Sequence, residues 1–159
     1  MPFVLFVCSA NRFRSPLAEA AFKKCLEEDG SRADWEVSSA GLWTESGLPP
    51  VPTALTAAEG MGLNISNHRT QPITTELLSR SDLIIVMQAS QREALQVEFP
   101  ETAGKIILLS ETADGIAYDI PDPFDAVDSH QDLAKEVCSL VKRGYNRIAD
   151  IARKREDIS

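Results

Sequence analysis

Phe3-Val4-Leu5-Phe6-Val7-Cys8-Ser9-Ala10-Asn11-Arg12-Phe13-Arg14-Ser15-Pro16 is the segment that decides how this chain folds. Residues 3–7 are an unbroken apolar run, the pattern of a strand buried on both faces. Ser15 followed by Pro16 predicts an N-cap with proline at the first helical position. The helix that follows runs to about Glu28, with Leu17, Ala21, Phe22 and Leu26 on its apolar side, and Gly30 ends it. A loop between a strand end and a helix N-terminus turns backbone N–H groups toward one point, which suits an anion such as phosphate.

Further strands are predicted over 35–40, 83–87 and 105–109, and helices over 53–61 and near 75–79. Ser90 and Glu93 form a capping-box pair for another helix, which Pro100 closes. Residues 110–128 read as a loop, and a long amphipathic helix runs from Ser129 toward the C-terminus. Strands alternating with helices imply an α/β fold with a parallel, doubly wound sheet. In such sheets ligands bind beyond the carboxyl ends of the strands, at a topological switch point. The loop after the first strand is the expected place.

At 159 residues, with 43% hydrophobic and 25% charged residues, the chain suits one globular domain, 1–159. Its net charge of −8 argues against nucleic acid as the main partner, while leaving room for a small positive pocket. The three cysteines, Cys8, Cys25 and Cys138, are far apart and form no CxxC pair, so neither a disulfide framework nor a zinc site is expected. The first residues have no basic leader and only a short apolar run, and no later run is long enough to span a membrane. A cytoplasmic protein without membrane association is the expectation.

The chemistry is concentrated in Cys8, five residues, Arg14 and Ser15. Cysteines on helices, such as Cys25 and Cys138, are ordinarily small buried hydrophobes. Cys8 differs, because a helix N-terminus and Arg14 both favour negative sulfur, and the thiolate is the nucleophile. Arg14 sits where the helix dipole disfavours a cation, which suggests that it neutralises an anion with its two-pronged guanidinium. Ser15 can donate to the sulfur, cap the helix, or do both. Arg12 either lines the mouth of the site or is simply solvated. Asn11 is placed to hold the loop through its side-chain amide. Cleaving a phosphate ester also needs a proton for the leaving oxygen. Among Asp119, Asp122, Asp125 and Asp128, the best placed is Asp122, stiffened by Pro121 and Pro123. Taken alone, an acidic loop is more often just solvated.

Residues 7–19, Val-Cys-Ser-Ala-Asn-Arg-Phe-Arg-Ser-Pro-Leu-Ala-Glu, resemble the signature of the low-molecular-weight protein tyrosine phosphatases. Ser39-Ala40-Gly41, His68, Asp82-Leu83-Ile84 and Asp122-Pro123-Phe124 follow in that family's order and spacing, so the resemblance covers nearly the whole chain. It implies a phosphotyrosine phosphatase I-like fold, a four-stranded parallel sheet flanked by helices on both faces. It also implies a phosphocysteine mechanism without metal or cofactor, acting on a phosphorylated protein or a small aryl phosphate. By that pattern Cys8 is the nucleophile. Arg14 binds phosphate and its transition state together with the loop formed by Ser9, Ala10, Asn11, Arg12, Phe13 and Ser15. Asp122 acts first as acid and then as base. Ser15 eases thiolate departure, and Asn11, Ser39 and His68 hold the loop with it. Trp43 and Phe124 are candidate aromatic walls for a substrate ring.

Several positions depart from the family pattern. Ala10 stands where glycine is usual, adding a Cβ. Phe13 replaces the second cysteine of many members, so a protective disulfide with Cys8 is not expected. Asp125 stands where others have tyrosine or glycine. Met87-Gln88-Ala89-Ser90 lacks the cysteines of related arsenate reductases, which disfavours that chemistry. Arg12 replaces the small threonine of the family's arginine phosphatases, which disfavours a phosphoguanidinium substrate. A non-hydrolytic phosphocarrier is a third alternative, although such modules do not need both Arg14 and Asp122.

Overall fold

The computed structural model describes residues 1–158. Strand β1 (Phe3–Cys8) is followed by helix α1 (Arg14–Glu28), β2 (Glu36–Gly41), α2 (Pro52–Gly60) and α3 (Thr75–Arg80). Then come β3 (Leu83–Val86), α4 (Ala89–Glu98), β4 (Ile106–Leu108), α5 (Leu109–Asp114) and α6 (His130–Ile158). The four strands form one sheet in the order β2-β1-β3-β4, and every pairing is parallel. The predicted α/β class and four-stranded parallel sheet are therefore what is found.

β1 is central, and all six of its residues are buried. Val4, Phe6 and Cys8 point into one core, packed with α1, α2 and α6; Phe3, Leu5 and Val7 point into the other, packed with α3 and α4. This two-sided burial is why the run carries no polar alternation. The first core is keyed by Phe22 of α1, whose ring lies 5.8 Å from Phe6, 5.7 Å from Trp35 and 5.5 Å from Tyr145. The chain leaves β1 for β2 on one side and later returns to β3 on the other. The carboxyl end of β1 is thus the switch point, where the crevice of such a sheet opens.

Three local expectations are corrected. α1 begins at Arg14, and its N-cap position, Phe13, makes no side-chain cap bond. Ser15 is therefore not the cap; its hydroxyl is engaged with the Cys8 sulfur instead. The capping box of α4 is made by Gln88 and Gln91 rather than Ser90 and Glu93. The helix starts earlier because Gln91 Oε1 accepts from the Met87 and Gln88 amides, at 2.9 and 3.0 Å. Finally, α5 (Leu109–Asp114) takes the last residue of the strand expected over 105–109 and the start of the loop expected over 110–128. Six residues are too few to show helical periodicity, but Gly115, at φ +75°, terminates the turn in the left-handed conformation.

α5 packs tightly on α6. A Cβ built on Gly144 would lie 2.5 Å from Thr112 Oγ1 and 3.1 Å from Thr112 backbone carbon. Gly144→Ala is therefore expected to lower stability by about 1–3 kcal/mol through overpacking, read as a fall in denaturation midpoint with an unchanged slope.

Candidate active site

Cys8 closes β1, residues 9–13 form a loop, and α1 starts at Arg14. The loop is shaped by Asn11, which adopts φ +59°, the left-handed region that non-glycine residues seldom enter. That conformation turns the Asn11 amide back onto Cys8 Sγ at 3.3 Å. It is held by every polar group that Asn11 offers. Its side-chain Nδ2 donates to Ser15 Oγ at 2.8 Å and to Ser39 Oγ at 3.0 Å, and its Oδ1 accepts from the Gln71 amide at 3.0 Å. Its backbone carbonyl accepts from His68 Nε2 at 2.8 Å.

The proton order of this network follows from the inventory of donors. Ser15 Oγ accepts from Asn11, so its own proton is free to point at Cys8 Sγ, 3.0 Å away. Ser39 Oγ likewise accepts from Asn11 and donates to Glu19 Oε1 at 2.6 Å, while Glu19 is also paired with Lys23 at 2.6 Å. Two donors, the Asn11 amide and the Ser15 hydroxyl, thus converge on a buried sulfur.

Arg14 is only 2% exposed, although it is the first residue of a helix. Its Nη1 donates to Gln88 Oε1 and to the Ile120 carbonyl, each at 2.8 Å. Its Nη2 lies 3.5 Å from Asp122 Oδ2. Gln91 completes the support: its Nε2 stands 3.2 Å from both Gln88 Oε1 and Ser9 Oγ. The other oxygen of Asp122, Oδ1, accepts from the Phe124 amide at 2.9 Å.

A cavity of about 90 Å³ opens between Cys8, Arg14, Asp122, Pro123 and Phe124. About 10–15 Å³ on this measure already admits one water, so the space has room for a small oxyanion. Phe124 is 75% exposed at its rim. Trp43, 65% exposed, borders a neighbouring opening with Ala10 and Arg12 rather than the Cys8 cavity itself. Arg12 borders both openings, its Nε fixed on the Pro49 carbonyl at 2.8 Å. Phe13 is buried.

The sequence reasoning missed Gln88, Gln91, Glu19 and Gln71. Only Glu19 carried a signal, lying within the segment 7–19; the others reach the site from distant parts of the chain. Cys25 and Cys138 lie on helices away from the cavity, and burial pushes the Cys138 thiol up to about 12. Among the described residues, no group of three or more His, Cys, Asp and Glu side chains is placed to hold a metal ion. No helix there is long and apolar enough to cross a membrane.

The family model for low molecular weight phosphotyrosine protein phosphatase matches residues 3–157. A probable low molecular weight protein-tyrosine-phosphatase, EpsP, of Ralstonia nicotianae is 36% identical over 143 residues, covering 90% of each chain. A protein-arginine-phosphatase of Bacillus subtilis is 30% identical over 141 residues, covering 88% of this chain and 92% of that one. The crystal structure of a low molecular weight protein tyrosine phosphatase from T. tengcongensis superposes with a TM-score of 0.83 at 32% identity, covering 92% of this chain and 99% of that one. With its loop geometry, its sheet and this match over nearly its whole length, the chain belongs to the low molecular weight phosphotyrosine protein phosphatase family.

Proposed function

We propose that the chain hydrolyses aryl phosphate monoesters, with phosphotyrosine in proteins as the substrate class, through a phosphocysteine intermediate. The observation that carries this is the meeting of Cys8, Arg14 and Asp122 around one small cavity. Cys8 sulfur, as thiolate, attacks phosphorus as the bond to the leaving phenol oxygen breaks. Arg14 holds two non-bridging oxygens and the charge that grows on them. Asp122 gives its proton to the departing oxygen. The carboxylate so formed then takes a proton from water as that water attacks the phosphocysteine. Ser15 donates to the sulfur as it leaves.

The Arg14–Asp122 contact gives this cycle an electrical logic. Asp122 is the only carboxylate paired with Arg14 among the described residues. A phosphate dianion seated on the guanidinium takes the place of that partner and leaves the Asp122 carboxyl beside the leaving oxygen.

A phosphoarginine substrate is the second reading, since a relative of similar length carries that activity in its name. Arg12 weighs against it: its cationic head stands at the mouth, where a leaving guanidinium would meet like charge.

Cys8→Ser is expected to abolish turnover of p-nitrophenyl phosphate, and vanadate to inhibit the unaltered protein. Asp122→Asn is expected to lower kcat/KM on phenyl phosphate by roughly 10²–10⁴, the usual weight of general acid catalysis. On a panel of phosphotyrosine, phosphoserine and phosphoarginine peptides, phosphotyrosine is expected to be the best substrate. Faster release of phosphate from phosphoarginine would reverse the assignment.

The loop itself is testable through Asn11→Ala. Alanine cannot replace any of the three side-chain bonds and is strained at positive φ, so stability is expected to fall by about 1–3 kcal/mol. Vanadate affinity should fall with it, measured by inhibition of the residual activity.

A further inference from the structure

His130 is a titratable side chain that the catalytic scheme does not use, yet it is tied on every side. It is the first residue of α6. Its Nε2 lies 3.0 Å from the Pro123 carbonyl oxygen and its Nδ1 2.8 Å from the Thr53 hydroxyl, at the start of α2. A carbonyl oxygen can only accept, so Nε2 carries a proton. In the neutral ring Nδ1 accepts from Thr53; in the imidazolium it donates to the same oxygen. Either way both bonds persist. The ring also meets Phe13 and Phe124 edge-on, each with centroids 5.6 Å apart. His130 thus joins the turn carrying Asp122, the first turn of α2 and the buried phenylalanine of the Cys8 loop.

The link to Asp122 is a single peptide group. The peptide between Pro123 and Phe124 presents its C=O to His130 and its N–H to Asp122 Oδ1, at 2.9 Å. A peptide is planar and stiff, so holding its oxygen fixes the direction of its N–H. That N–H in turn sets the rotation of the carboxyl group, directing Oδ2 toward Arg14, 3.5 Å away, and the cavity they share. The proline on either side of Asp122 limits the backbone, but neither fixes the plane that follows Pro123. Phe124, 75% exposed, has the edge contact with His130 to steady its ring at the rim.

We propose that His130 is a positioning residue that orients the proton-donating oxygen of Asp122 through the Pro123–Phe124 peptide plane. This rests on the reading of Asp122 as general acid. It adds a residue outside the three reacting groups on which proton delivery to the leaving oxygen depends.

The test is kcat/KM, which reports cleavage of the ester bond, across aryl phosphates from p-nitrophenyl to unsubstituted phenyl. The more basic the leaving phenolate, the more it needs the proton. His130→Ala is expected to lose about tenfold on phenyl phosphate and to stay within about twofold on p-nitrophenyl phosphate, a part of the full general-acid effect. His130→Gln, whose amide N–H can reach the Pro123 carbonyl, is expected to recover most of that loss. Thr53→Val, which removes only the bond to Nδ1, should show the same leaving-group slope in weaker form. This arm and the glutamine variant remain informative if the alanine variant does not fold. A loss equal on all substrates, or none, in the His130 variants overturns the proposal when Asp122→Asn gives a steep leaving-group dependence. A flat response in Asp122→Asn instead removes the general-acid assignment, and with it the role of His130.

Discussion

The site depends on one backbone conformation. Asn11 stands in the left-handed region at φ +59°, and the curl of the loop that presents an amide to Cys8 follows from it. Strain of this kind costs on the order of 1–3 kcal/mol and persists only where the surroundings over-determine it. Here they do, through Ser15, Ser39, Gln71 and His68. The partners come from α1, β2 and the segment before α3, so the loop is locked by three separate parts of the fold. The bulk of the protein serves as the frame that keeps a short loop in a conformation it would not hold alone.

The second constraint is electrostatic. Arg14 is buried against two neutral acceptors, Gln88 Oε1 and the Ile120 carbonyl, with Asp122 at the longer distance of 3.5 Å. A buried cation with an incomplete set of anionic partners is a receptor for an anion. The neutral glutamine orients the guanidinium without quenching it. In a chain of net charge −8, this is how a local positive site coexists with an acidic surface. Arg12 and Phe124 line the same cavity as Cys8 and Arg14.

What could be seen in the sequence was local or rigid. The apolar run of β1, the spacing from Cys8 to Arg14, and Asp122 between two prolines each reside in a few adjacent residues. Ser15 shows where local rules fail. Its place before Pro16 predicts a helix cap, yet a buried sulfur 3.0 Å away claims its hydroxyl. The same holds for Gln88 and Gln91: their side chains look like exposed helix polarity until the fold brings Arg14 and Ser9 to them. α5 was hidden because six residues give no period, and its stabilising contact, with Gly144, lies far along the chain. Trp43 and Phe124 stand out in the sequence as aromatic residues in loops, but that each borders an opening beside Arg12 depends on loop paths that no periodicity encodes.

The parallel sheet has a kinetic side as well. β1 is its middle strand, but Val4 pairs with Leu83 of β3, so one edge stays open until that partner has been made. At a synthesis rate of about 5–20 residues per second, that is a wait of roughly 4–16 s for a nascent chain. During it, Phe3, Leu5 and Val7 lack the apolar layer they later share with Ile84 and Val86. The strand that ends in Cys8 therefore spends that interval with an unpaired edge and an uncovered apolar face, open to mispairing on the ribosome.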